Sequence, residues 1–364
     1  MTTATATNPQ VNVYAAGQLH KRTPWLILVG SLLVSFVAFA LVTNAGAATA
    51  EPSDFNISGA VLIGVVLYGV ILYVVSRLVE GRRPAQNRLV TTLVTLAFVI
   101  AMLPLISLIF TVAVNGSARF DWAFMTETMR NVLGQGGGAG HALVGTLIVT
   151  LAATIISVPI GLLTSIYLVE YGRGRLAQAI TFFVDVMTGI PSIVAGLFAF
   201  SLFAALFGPG TRMGFAGAIA LSVLMIPVVV RSSEEMLRLV PNELREASYA
   251  LGVPKWLTIL KVVLPTSIAG IMTGITLAIA RVIGETAPLL VAAGFTHNMN
   301  WNAFSDFMQT LPVFVYNSYV AQGTDAQAYL DRAWAGALTL ILIVMLLNVI
   351  ARLIARYFAP KNGR

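Results

Sequence analysis

Cysteine is absent from the 364 residues, and histidine occurs only three times, at His20, His141 and His297. The first absence excludes a disulfide framework and thiolate chemistry. With so few and such scattered histidines, no zinc ligand set can be assembled. Charge is scarce as well: Asp, Glu, Lys and Arg make up 10% of the chain, against about 25% in a soluble domain. That excludes an ordinary globular enzyme and a disordered tail. The 22 cations outnumber the 15 anions to give a net charge of +7. Spread over the whole length, they make no basic footprint for nucleic acid. Apolar residues are what the chain has in abundance, at 57%.

Crossing about 30 Å of hydrocarbon takes about 20 mostly apolar residues. Eight segments qualify: 25–43, 57–76, 89–114, 141–169, 176–207, 214–231, 265–293 and 333–351. The first lies behind a polar leader and is too long for the apolar stretch of a signal peptide. An even number of spans returns the C-terminus to the side of the N-terminus, and the cations identify that side. If both termini are cytoplasmic, sixteen of the 22 cations lie inside and four outside, with Arg231 and Arg281 in or near the membrane. The acids show no such bias. The expected architecture is therefore an all-α integral membrane protein of the plasma membrane, with about eight transmembrane helices, both termini cytoplasmic and lipid as its surroundings.

Three of the segments between spans stand out. Residues 115–140 end in the run Gly134-Gln-Gly-Gly-Gly-Ala-Gly140. It lacks the Lys-Ser/Thr of a phosphate loop and is expected to be a flexible lead-in to the fourth span. Residues 294–332 carry Trp301, Phe304, Phe307, Phe314, Tyr316, Tyr319 and Tyr329, which suit a membrane interface or the outer face. Residues 234–265 follow the sixth span on the cytoplasmic side. Pro241 suits the start of a helix, and Gly252 followed by Pro254 is a stop and a restart. Two short helices with a turn between them are expected, with Trp256, Ile259, Leu260 and Val263 as an apolar stripe. On chemistry alone, a solvated amphipathic loop would also fit.

Glu246, Ala247 and Ser248, then Gly252 after three residues, then nine residues and Val262, Leu264 and Pro265 resemble the EAA signature of type I ABC importer permeases. Ser248 stands for the second Ala and Val262 for Ile. The resemblance implies that this loop is the coupling helix entering a cleft of a cytoplasmic ATPase, with Glu246, Ala247 and Gly252 as coupling residues. Five further strings, at 187–194, 226–231, 236–241, 281–290 and 309–316, resemble the PstA-type permeases of phosphate-specific importers. Together they cover the chain from about residue 90 to its end. The resemblance divides the chain into a leader at 1–24, two additional helices within 25–88, a six-helix MetI-like core at 89–358 and a tail at 359–364. It implies half of a phosphate pathway and three kinds of partner: a second permease (PstC-type), an ATP-binding dimer (PstB-type) and an extracytoplasmic phosphate-binding protein (PstS-type). The chain itself would be no enzyme, would have no catalytic or metal site and would bind no cofactor, ATP and Mg²⁺ being held by the ATPase. A permease for another oxyanion such as phosphonate or sulfate, a secondary transporter, and a membrane-embedded phosphatase are the alternatives. The last would need a clustered nucleophile, base and acid, which the isolated histidines do not supply.

Charges within spans are costly and usually face a path or each other. Arg281 and Glu285 are four residues apart and could pair on one helix face, while Ala287-Pro288 should break the helix beyond them. Arginine offers a planar fork suited to phosphate oxygens. The resemblance places Arg231, Arg281 and Glu285 on the pathway. The alternatives are a structural ion pair for Arg281 and Glu285, and a snorkelling side chain for Arg231. Counting 1.5 Å per residue puts the two arginines at different depths, as successive stations rather than one cage. Asp185 would be repelled by an anion path and is expected to face a neighbouring helix or cap a broken segment.

Overall fold

The computed structural model describes residues 19–45, 56–323 and 325–358. Most of the expected leader, the loop around Gly46 to Ala48 and the tail at 359–364 lie outside the described residues. Among the described residues there are helices and no strands. The chain divides into two compact units at Leu108 and Ile109, inside the third helix.

The first unit holds α1 (Thr23–Ala45), α2 (Ile57–Val79) and the beginning of α3 (Arg82–Gly116). α1 and α2 meet through small residues: Ser35 donates to the carbonyl of Ala60 at 2.6 Å, and a Cβ on Gly64 would stand 2.8 Å from Leu32. Small residues allow this approach where water provides no hydrophobic drive between helices. At the end of α2, Glu80 accepts two hydrogen bonds from Arg88, at 2.7 and 2.8 Å, and others from Ser76 and the Leu19 amide. The Arg88 bond, with those from Ser76 and Leu19, holds the Glu80 carboxyl down at about 2 against the opposing effect of burial.

The second unit continues with α4 (Trp122–Thr126), α5 (Gly140–Ile166), α6 (Arg175–Thr188), α7 (Ser192–Phe207) and α8 (Gly214–Arg238). Then come α9 (Asn242–Ala250), α10 (Lys255–Thr258), α11 (Leu264–Val282), α12 (Ala287–Ala292), α13 (Leu311–Val320) and α14 (Ala326–Phe358). Over the described residues seven helical segments are long and apolar enough to cross a membrane, or eight with the bent pair α6 and α7. The expected fifth span is that pair. Its legs diverge by 107° at Gly189, Ile190 and Pro191, because Pro191 provides no amide to continue α6.

α5 and α8 lie side by side and parallel at the centre of this unit. Gly217 faces Val149, Ser222 donates to the Ala153 carbonyl, and Gly161 faces Val229, a nearly constant offset. A Cβ on Gly161 would stand 2.6 Å from Val229, so the missing side chain sets the spacing. α11 runs antiparallel along α8, with Gly274 against Ser232 and Gly270 against Met236. The fully buried Leu221, Met225 and Val229 of α8 fill the core between these helices.

The glycine run before α5 is not a flexible lead-in. Arg332 of α14 donates to the carbonyls of Gly134 and Gly136 at 2.7 and 2.9 Å, and Arg119 donates to Gly137 at 3.0 Å. The amides of Ala139 and Gly140 bond Phe124 and Glu127. The backbone packs so closely that a Cβ on Gly138 would meet the Phe124 carbonyl at 2.5 Å. Of the aromatic residues after 294, Trp301, Phe304 and Tyr319 are exposed, whereas Phe314 is buried against Phe124.

Candidate coupling and translocation site

The segment after α8 forms the two short helices expected. Pro241 caps α9 from outside, and Gly252 ends it with φ at +76°, in the left-handed region that glycine occupies without strain. Pro254 then precedes α10. Glu246, Ala247 and Gly252 are exposed, beside Leu251 at 84% and Trp256 at 61% exposure. The apolar stripe expected at 256–263 splits. A π-turn at Ile259–Val263 shifts the helical phase, so Ile259 and Val263 turn inward while Trp256 and Leu260 remain outside.

Ser248, the departure from the EAA pattern, has a local reason. Its hydroxyl bonds the Thr258 hydroxyl at 2.8 Å in a buried contact that ties α9 to α10. A second tie was missed from the sequence. Glu170 lies in a π-turn, Tyr167–Tyr171, that extends α5. Arg245 of α9 donates to its Oε1 through Nε and Nη2 at 3.0 and 2.9 Å, and to the carbonyls of Leu237 and Val240. Lys255 donates to the Glu170 carbonyl and stands over the Tyr171 ring. The available signal was a lone carboxylate at the end of an apolar span.

The intramembrane charges do not arrange themselves as one group. Arg231 of α8 is held between two carboxylates, Asp185 at the end of α6 and Glu234 at 2.9 Å; Glu234 also accepts from Arg238 at 2.6 Å. Asp185 thus faces a neighbouring helix. A cavity of about 430 Å³ opens beside Asp185, Glu234 and Arg238. Arg281 and Glu285 do not pair. α11 ends at Val282, so the helical spacing that would bring them together stops between them. Among the described residues Arg281 has no ion-pair partner and is exposed, while Glu285 is half-buried in the break before α12. Pro288 opens α12 and packs against Gly196 of α7, where a Cβ would stand 2.6 Å away. The α8–α11 register sets Arg231 beside residue 275. Arg281 is therefore six residues further along the pair, roughly 9 Å at 1.5 Å per residue.

Residues 157–364 match the family described as binding-protein-dependent transport system inner membrane component. The chain is 47% identical over 296 residues to the phosphate transport system permease protein PstA 1 of Mycobacterium tuberculosis, covering 80% of this chain and 94% of that one. It is 39% identical over 293 residues to PstA of Yersinia pestis, covering 78% and 96%. A bacterial alginate ABC transporter, solved in complex with an alginate pentasaccharide-bound periplasmic protein, superposes with a TM-score of 0.53 at 10% identity. The superposition covers 77% of this chain and 97% of that one, a likeness of fold alone.

Proposed function

We propose, from the premise that this chain belongs to the binding-protein-dependent transport system inner membrane components and among them to the PstA permeases, that it forms half of the pathway of an ATP-driven importer of inorganic phosphate. It is a multi-span inner-membrane permease and not an enzyme; ATP hydrolysis sits on a separate subunit. In this proposal a related PstC-type permease completes the pathway. A PstB-type ATPase dimer, carrying ATP and Mg²⁺, receives α9 through Glu246, Ala247 and Gly252. A PstS-type binding protein delivers phosphate at the opposite end. In this reading both termini and α9 are cytoplasmic, which the bias of the cations supports.

The observation that carries the anion pathway is Arg281. An unpaired guanidinium in a spanning segment is costly unless it faces water or a partner. Arg281 stands uncovered where α11 breaks off, with its donor fork free for phosphate oxygens. Arg231, one level away, is already engaged by carboxylates and serves as a second station only when it exchanges them for the anion. Glu285 in the break keeps the anion from binding too tightly. The test is uptake of labelled phosphate in cells expressing the complete importer, with sulfate and a phosphonate as competitors. ATP-dependent uptake resistant to both competitors is expected. Uptake that persists without the ATPase would contradict the proposal.

A further inference from the structure

We propose that Glu170 is the positioning residue through which the coupling helix moves the membrane core, and that Arg245 is the hub that makes α5 and α8 follow α9 as one body. It rests on the reading of α9 as the ATPase contact. The geometry is specific. Arg245 spends its donors on two structures at once: Nε and Nη2 on Glu170, beyond the end of α5, and Nη1 and Nη2 on the carbonyls of Val240 and Leu237, just beyond and at the end of α8. Both charged side chains are largely buried, with Glu170 at 5% and Arg245 at 13% exposure. Lys255, on the other side of the Gly252 turn, holds the backbone of the same residue. Glu170 is thereby gripped by its carboxylate from α9 and by its carbonyl from α10.

A surface loop would need none of this. α9 is only nine residues long and exposes most of its length; without an inner anchor, a push on Ala247 or Gly252 would bend the loop rather than shift the bundle. With the anchor, the push reaches α5 and α8 together. These are the two helices packed in parallel at the centre of the unit, one carrying Arg231. The π-turn at 167–171 widens the end of α5 and changes the phase at which Glu170 projects. Breaking a buried ion pair by removing one partner strands the other charge, so pulling α9 away from the end of α5 is costly.

The chain has no cysteine, so Ala247→Cys provides a unique crosslinking position. The complete importer is reconstituted in liposomes with Glu170→Gln, and phosphate imported per ATP hydrolysed is measured beside crosslinking of Cys at 247 to an ATPase subunit. The expectation is a crosslink equal to that of the parent, hydrolysis within about twofold, and a ratio of transport to hydrolysis reduced about tenfold, in the range of a usual coupling energy. An unchanged ratio overturns the proposal. So does a fall of crosslink, transport and hydrolysis in proportion, because Glu170 would then hold only the docking surface. If Glu170→Gln does not assemble, Arg245→Lys decides in its place: it keeps the charge but loses the fork, and the same loss of ratio is expected, an unchanged ratio overturning the proposal. Absence of the crosslink in the complex carrying Ala247→Cys alone would instead remove the reading of α9 as the ATPase contact, and the proposal with it.

Discussion

Arg231 and Arg281 share one chemistry and occupy opposite states, and that difference can be measured. Arg231 closes a network with Asp185 and the buried Glu234, so Arg231→Gln should lower stability by about 1–2 kcal/mol, the upper end being reduced by its partial exposure. Arg281 has no partner to lose, and Arg281→Gln should leave stability within about 0.5 kcal/mol. Thermal unfolding of the two purified variants in detergent checks the contrast. At Glu80 the sign of the pH effect follows from a lowered carboxyl. Its stabilisation is complete above the ordinary carboxylate range and is lost as pH falls through that range toward about 2. Glu80→Gln should therefore flatten the acid limb of the unfolding curve and leave the neutral limb parallel to that of the parent. Arg332 is 1% exposed and clamps two glycine carbonyls; Arg332→Met should cost about 2 kcal/mol and open residues 134–138 to limited proteolysis.

At the scale of elements, close helix approach depends on a few absent side chains. Gly274→Val would force a branched side chain onto Ser232, where even a Cβ would stand 2.5 Å from the hydroxyl. Overpacking of this kind costs about 1–3 kcal/mol, and differential unfolding should show it. Gly252 is the opposite case, since nothing in the chain lies within 4 Å of its would-be Cβ. Gly252→Ala should cost only the strain of its left-handed backbone, about 1 kcal/mol. Any larger loss of uptake would come from the surface it presents. The spans were legible from hydropathy alone, and Gly252 and Pro254 marked the turn between α9 and α10. The bend at 189–191 was visible only as a proline in a largely apolar run whose one charge is Asp185. The two π-turns left no local signal, because a shift of helical phase depends on packing. Glu170 and Arg245 are 75 residues apart in sequence, and neither residue type announces its partner. The Arg281–Glu285 spacing suggested a pair only while the helix was taken to continue past Val282.

For the whole molecule, composition pointed to a membrane protein, and the few intramembrane charges pointed to where an anion could cross. The clamped glycine run shows the limit of such inference: glycine reads as freedom in sequence and serves here as close packing. Orientation is directly testable because no native cysteine interferes. A cysteine introduced at 247 should react with an impermeant maleimide in inverted vesicles and not in intact cells. The central claim, that an anion crosses beside the unpaired guanidinium of α11, is tested most directly by phosphate uptake with Arg281→Ala in the complete importer. Uptake reduced at least tenfold, with the complex still assembled and the protein as stable as its parent, is the predicted result. Uptake within twofold of the parent would contradict it.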